Sequence, residues 1–229
     1  MSVDRDYARD LYPFLYAPSD EFAEHSTALL ASVRSSTLAK CAEVTALRTE
    51  LLMEYEADLE RAAEMMAERF ARGGKLLAFG NGGSATDADD AAMDCLTPLL
   101  AGWRALPAWS LPAESATVTA LANDVGLDHV FTRPIAALGE RNDIALGFST
   151  SGSSTNIVTA FAEARRRGML TVAFTGYDGG AIAHGGNVDF CFIARREFVP
   201  RIQEGHATLW HTLLELVQQQ LSLLAERAS

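Results

Sequence analysis

KLLAFGNGGS (75–84) and IALGFSTSGSS (144–154) are built alike: a short apolar run passes directly into small, glycine- or hydroxyl-bearing residues. A helical stretch follows each, over 84–100 and 155–167. The runs are continuous in hydrophobicity rather than alternating, as expected of strands covered by helices on both faces. Three further runs share that character: ALPAWSL (105–111), LTVAFTG (170–176) and VDFCFIA (188–194), with another helical stretch over 127–138 and a last one over 201–226. Strand and helix alternate, which predicts a parallel sheet. The expected fold is one α/β domain: five parallel strands flanked by helices, a three-layer α/β/α arrangement of the flavodoxin-like kind.

Upstream of the first strand, residues 20–72 contain no Gly or Pro, and Leu47, Leu51, Leu52, Tyr55 and Leu59 recur at spacings of three and four. Two amphipathic helices are expected there, broken or bent near Ser35 and Ser36. Tyr7, Tyr12, Phe14, Tyr16 and Phe22 crowd the start, so residues 1–35 read as an aromatic-rich helical arm and 36–229 as the domain. The first ten residues carry early acids and no apolar core, and no run of about 18 apolar residues marks a span, which makes the cytoplasm the expected compartment. Cys41, Cys95 and Cys191 are widely spaced and read as reduced packing residues.

With 19 Lys plus Arg against 30 Asp plus Glu, the formal net charge is −11, which argues against unselective binding to nucleic acid or to an anionic membrane. An anionic ligand must therefore be held locally, by amides, hydroxyls and helix dipoles. GNGGS (80–84) opens a helix and supplies such a place, with neither the GxGxxG of dinucleotide folds nor the Lys of a P-loop, so no nucleotide cofactor is implied. STSGSS (149–154) offers hydroxyls and amides to a phosphate monoester, although Ser154 or Thr155 could instead serve as an ordinary N-cap. Both loops fall at carboxyl ends of strands, where open α/β sheets bind ligands.

Asp87, Asp90 and Asp94 lie at i, i+3 and i+7 of the helix after GNGGS and form a carboxylate stripe. For Asp87 a capping role beside Ser84 accounts for the acid, but Asp94 is too far along for the helix dipole. On the last helix Gln203 and His211 are eight residues apart, about 80° around the axis, so both can border one cleft. His206 reads as a packed histidine.

Taken together, GNGGSxxDA (80–88), NDVG (123–126), STSGSS, TGYDGG (175–180) and RIQEGHxxxxH (201–211) resemble the sugar isomerase (SIS) family, in its phosphoheptose isomerase branch. The resemblance implies a homotetramer with active sites between subunits and a phosphorylated sugar held at the two hydroxyl-rich loops. It implies ligand or phosphate roles for Asn81, Gly82, Ser84, Ser149, Thr150, Ser151 and Ser154, and places Asp124 near the sugar. Gln203 and His211 match a metal-side glutamine and a histidine that is both metal ligand and acid/base. The sequence departs from the family at the chemistry, with Asp90 and Asp94 where a His and a Glu are usual. Asp94 and His211 are the implied proton-transfer pair, and Asp90, Asp94, Gln203 and His211 the implied ligands of a divalent metal, zinc or another. The expected activity is aldose-ketose isomerisation of sedoheptulose 7-phosphate or a related phosphosugar. The alternative is a non-catalytic regulatory or scaffold protein, as in the family's replication-initiator-binding member.

Overall fold

A computed structural model describes residues 19–98 and 100–228, with the side chains of residues 19–25 and 228 outside that description. Tyr7, Tyr12, Phe14 and Tyr16 of the aromatic arm lie outside the described residues, as does the side chain of Phe22. The chain divides into two compact units, Met1–Ala46 and Leu47–Ser229. In the first, the described residues are helical and expose Leu29, Leu30, Val33 and Leu38.

Helix α1, Ser19–Ala71, is a single helix of 53 residues. The break expected at Ser35 and Ser36 is absent because neither residue blocks the backbone, and an interior serine costs only about 0.5 kcal/mol against alanine. After α1 the order is β1 (Leu76–Gly80), α2 (Gly83–Leu96), β2 (Ala108–Ser110), α3 (Ser115–Asp124), a 3-10 turn (Leu127–His129) and α4 (Thr132–Leu138). Then come β3 (Ile144–Ser149), α5 (Thr155–Arg166), β4 (Leu170–Gly176), α6 (Gly180–His184), β5 (Phe190–Ala194) and α7 (Val199–Ala228).

The five strands pair in parallel in the order β2-β1-β3-β4-β5. Alternate strand residues divide between two buried clusters, as the two-residue period of a strand requires. Leu76, Ala78, Leu146, Phe148, Phe174 and Phe192 face the cluster shared with α1, α2 and α7, whereas Leu77, Phe79, Ala145 and Ala173 face α4 and α5. Helices thus cover both faces, which is why the strands read as unbroken apolar runs. β2 is shorter than its apolar run because Pro107 has no N–H to give; only its carbonyl joins the ladder, accepting from Leu76 N at 2.9 Å.

Cys95 is buried and Cys191 partly so, as expected of packing residues, but Cys41 is exposed, against that expectation. Among the described residues no helix is long and apolar enough to cross a membrane.

The strand order reverses direction at β1, since β2 lies on one side of it and β3 on the other. That switch point opens a crevice at the carboxyl ends of β1 and β3. Gly80 pairs with Phe148 in the register, so the two hydroxyl-rich loops leave the sheet side by side.

Candidate active site

Helix α2 begins on glycine, with Gly82 in a positive-φ conformation (55°) and no side chain bonded into the cap. The capping reading of Asp87 is therefore wrong. Asn81 does not cap either; its amide makes a reciprocal pair with that of Asn156, Nδ2 of each donating to Oδ1 of the other at 2.8 and 2.9 Å. Asn156 is buried at the start of α5, so this pair ties the loop after β1 to the loop after β3. Sequence reading missed Asn156, since nothing in its local pattern shows a partner 75 residues away.

Ser84 and Ser149 are buried. Ser154 takes the N-cap position of α5 in an extended conformation, yet its hydroxyl makes no cap bond and lies 3.4 Å from Ser149 Oγ. Thr150 is half-buried and Ser151 exposed, with Ser151 Oγ accepting from Ser153 N at 3.3 Å. Hydroxyls thus gather at the carboxyl end of β3 without being consumed by the helix cap. Gly82 is exposed beside them. Asp124 sits apart at the end of α3, exposed, where its carboxylate accepts from Asn123 Nδ2 at 3.0 Å.

The carboxylate stripe of α2 meets α7. A small cleft of about 40 Å³ is lined there by Asp87, Asp90, Phe148, Ala207, Trp210 and His211. Asp94 Oδ2 lies 3.4 Å from His211 Nε2 and accepts a hydrogen bond from Trp210 Nε1 at 2.9 Å. Asp94 is largely buried while His211 is 58% exposed, so the histidine is the solvent-facing member. Gln203 Nε2 points to Asp87 Oδ2 at 3.4 Å and crowds the backbone of Gly83, where a Cβ would come within 2.5 Å of it.

Asp87 is unusual among the acids. Burial pushes its carboxyl up to about 6, opposed by the hydrogen bond from Gln203 and aided by the nearby charge of Asp90. Behind it, His206 is fully buried, packed on Phe148 and Phe174 with ring centroids 6.1 Å away. Burial pulls its imidazole down to about 4, so the ring is neutral. Nε2 is 2.9 Å from the Thr175 carbonyl and must carry the proton, which leaves Nδ1 as an acceptor. That nitrogen has no hydrogen-bond partner among the described residues, and Asp87 Oδ2 is 4.0 Å from it. His206 is packed as expected, but it is packed against an acid of the cleft.

The donors implied for a divalent metal do not fit one as they are arranged. Gln203 turns to Asp87 rather than toward Asp94 and His211, Asp94 Oδ2 already accepts from Trp210, and Asp90 is exposed. Among the described residues no three His, Cys, Asp or Glu side chains gather as a ligand group. A tetrahedral ion needs about four converging donors near 2 Å.

A five-stranded parallel sheet with hydroxyl loops at its switch point and acids facing a histidine from the last helix defines the SIS class. The sequence profile of the SIS domain matches residues 41–176. Phosphoheptose isomerase of Thermodesulfovibrio yellowstonii is 40% identical over 176 residues, covering 77% of this chain and 87% of that protein. Phosphoheptose isomerase of a Geobacter species is 36% identical over 195 residues, covering 85% and 98%. Among solved structures, the phosphoheptose isomerase of Neisseria gonorrhoeae superposes with a TM-score of 0.75 at 33% identity, covering 82% of this chain and 99% of that one. The chain belongs to the SIS domain family and, within it, to the phosphoheptose isomerase branch.

Proposed function

We propose that this protein interconverts the ketose and aldose forms of a phosphorylated sugar, with sedoheptulose 7-phosphate as the first substrate to try. The observation that carries the reading is the Asp94–His211 pair, 3.4 Å apart beside a cleft bounded by Phe148, the residue immediately before Ser149. Names of relatives that match over most of their length support an enzyme over the scaffold alternative.

In this reading the phosphate sits among Ser149, Thr150, Ser151 and Ser154, with Asn81, Gly82, Ser84 and Gln203 toward the sugar; Asp124, which sits apart, has no part in it within this chain. Asp94 takes the proton from C1 of the open-chain ketose. The C–H electron pair becomes the C1–C2 double bond, the carbonyl electrons move to O2, and His211 protonates O2. The neutral imidazole then takes the proton from O1 as that oxygen forms the new carbonyl, and Asp94 returns its proton to C2. Both groups end as they began. Proton transfer of this kind contributes about 10²- to 10⁴-fold to a rate.

For Gln203 to join a divalent ion with Asp94 and His211, its amide would have to leave Asp87. The implied homotetramer and cytoplasmic location belong to this proposal, and sedimentation of the full chain tests the first. The activity test is incubation with sedoheptulose 7-phosphate and a panel of ketose phosphates in heavy water, followed by NMR. Deuterium uptake at C1 or C2 that disappears in Asp94→Asn supports the isomerase; saturable binding without uptake by the wild type sinks it in favour of a sensor or scaffold.

A further inference from the structure

Trp210 belongs to the buried core, 2% exposed, on the face of α7 that packs with Leu209, Leu213 and Leu214. An indole in such a place must still satisfy its N–H. It does so on Asp94 Oδ2 at 2.9 Å, across 116 residues of sequence. His211, the next residue on α7, brings Nε2 to within 3.4 Å of the same oxygen. Two neighbouring positions of one helix therefore converge on one atom of one carboxylate. Aspartate has a single torsion between its backbone-anchored Cβ and its carboxyl group, so engaging Oδ2 sets the plane of the group and the direction of Oδ1.

We propose that Trp210 is a positioning residue for the isomerase reaction: its indole N–H, fixed by core packing, holds Asp94 Oδ2 so that Oδ1 faces the substrate proton. The inference rests on the isomerase reading above. It also accounts for how a carboxylate on a short arm can be aimed, since a misplacement of about 1 Å can cost about a hundredfold in rate. The Trp210 ring borders the cleft, but its N–H is spent on Asp94 rather than offered to the substrate. It acts through Asp94, and its effect falls on turnover rather than on affinity.

The test replaces Trp210 in the full chain with benzothienylalanine, which keeps the bicyclic shape and exchanges the N–H for sulfur, and separately with Phe. Turnover of the sugar phosphate that the wild type isomerises is expected to fall about ten- to hundredfold in both, while KM changes by less than about twofold. Should the Phe variant fail to fold, the isostere alone decides. The indole N–H resonance of Trp210, assigned by its loss in the Phe variant, is expected to move in Asp94→Asn. Wild-type kcat in a folded isostere variant, a change confined to KM, or an indole resonance indifferent to Asp94→Asn overturns the inference while the isomerase reading survives. A wild type that exchanges no deuterium with any ketose phosphate overturns the isomerase reading first, and this assignment with it.

Discussion

The two ends of one sheet treat buried acids in opposite ways. At the amino end Asp143 is almost fully enclosed and every donor near it is used: Lys75 N at 2.9 Å, Lys75 Nζ at 2.6 Å and Glu140 N at 2.8 Å. Asp189, exposed at the same end before β5, is likewise satisfied, accepting from both Thr171 N and Thr171 Oγ1 at 2.9 Å. At the carboxyl end Asp87 has one long bond from Gln203, and His206 Nδ1 has none. Buried polar groups are normally satisfied, so the shortfall is informative. One end is closed for stability; the other keeps polar capacity in reserve for something that binds.

That contrast predicts which substitutions harm activity and which harm the fold. Asp94→Asn should have the largest effect, a loss of about 10³-fold in kcat with an unchanged unfolding midpoint, measured by deuterium exchange and urea titration. A large stability loss instead would mean that the carboxyl end is structural too. Asp143→Ala should do the reverse, costing about 3 kcal/mol of stability because Lys75 and two amides lose their acceptor, with kcat close to wild type. Asn156→Ala should release Asn81 and raise KM about tenfold with a smaller change in kcat; equal kinetics would show that the two loops hold their positions independently.

The subtlest test is pH. The folded carboxyl of Asp87 holds its proton up to about 6, above its ordinary value of 3.8, so folding takes up a proton in that window and this group adds stability as pH falls. His206 runs the other way. Its folded value near 4 lies below the ordinary 6.5, so folding expels a proton and stability declines as pH drops through that interval. The two slopes offset each other in the wild type. Asp87→Asn removes one of them, and its urea midpoint should therefore fall more steeply between pH 7 and 5 than that of the wild type. Parallel curves would break the pairing of the two groups.

Much of this was legible in the sequence, for reasons that separate local from distant physics. β1, β3 and β4 announce themselves because burial on both faces leaves no polar alternation, and the glycine and hydroxyl loops follow them directly. Helix α3 was missed because its apolar face is short and only half-buried, Val118, Leu121 and Ala122 against the α4/α5 side of the sheet, with no fully buried residue to mark it. Helix α6, five residues long, is too short to show a period. The continuity of α1 was missed by giving two serines the power of a glycine or proline. In the site, the approach of Asp94 to His211 was anticipated through the family resemblance. The contacts Asp94–Trp210, Asp87–Gln203 and Asn81–Asn156 join residues 116, 116 and 75 apart and leave no periodic trace.

The bare backbone of Gly83 under the Gln203 amide has an evolutionary consequence. A methyl group at position 83 would arrive within 2.5 Å of Gln203 Nε2, so the two positions cannot vary freely of each other. The amide is the far end of a flexible side chain, so it can swing aside for a methyl group, but the swing takes Nε2 away from Asp87. The coupling thus runs through Asp87: in a library randomised at both sites, alanine at 83 should fold beside glutamine yet lose the Gln203–Asp87 contact.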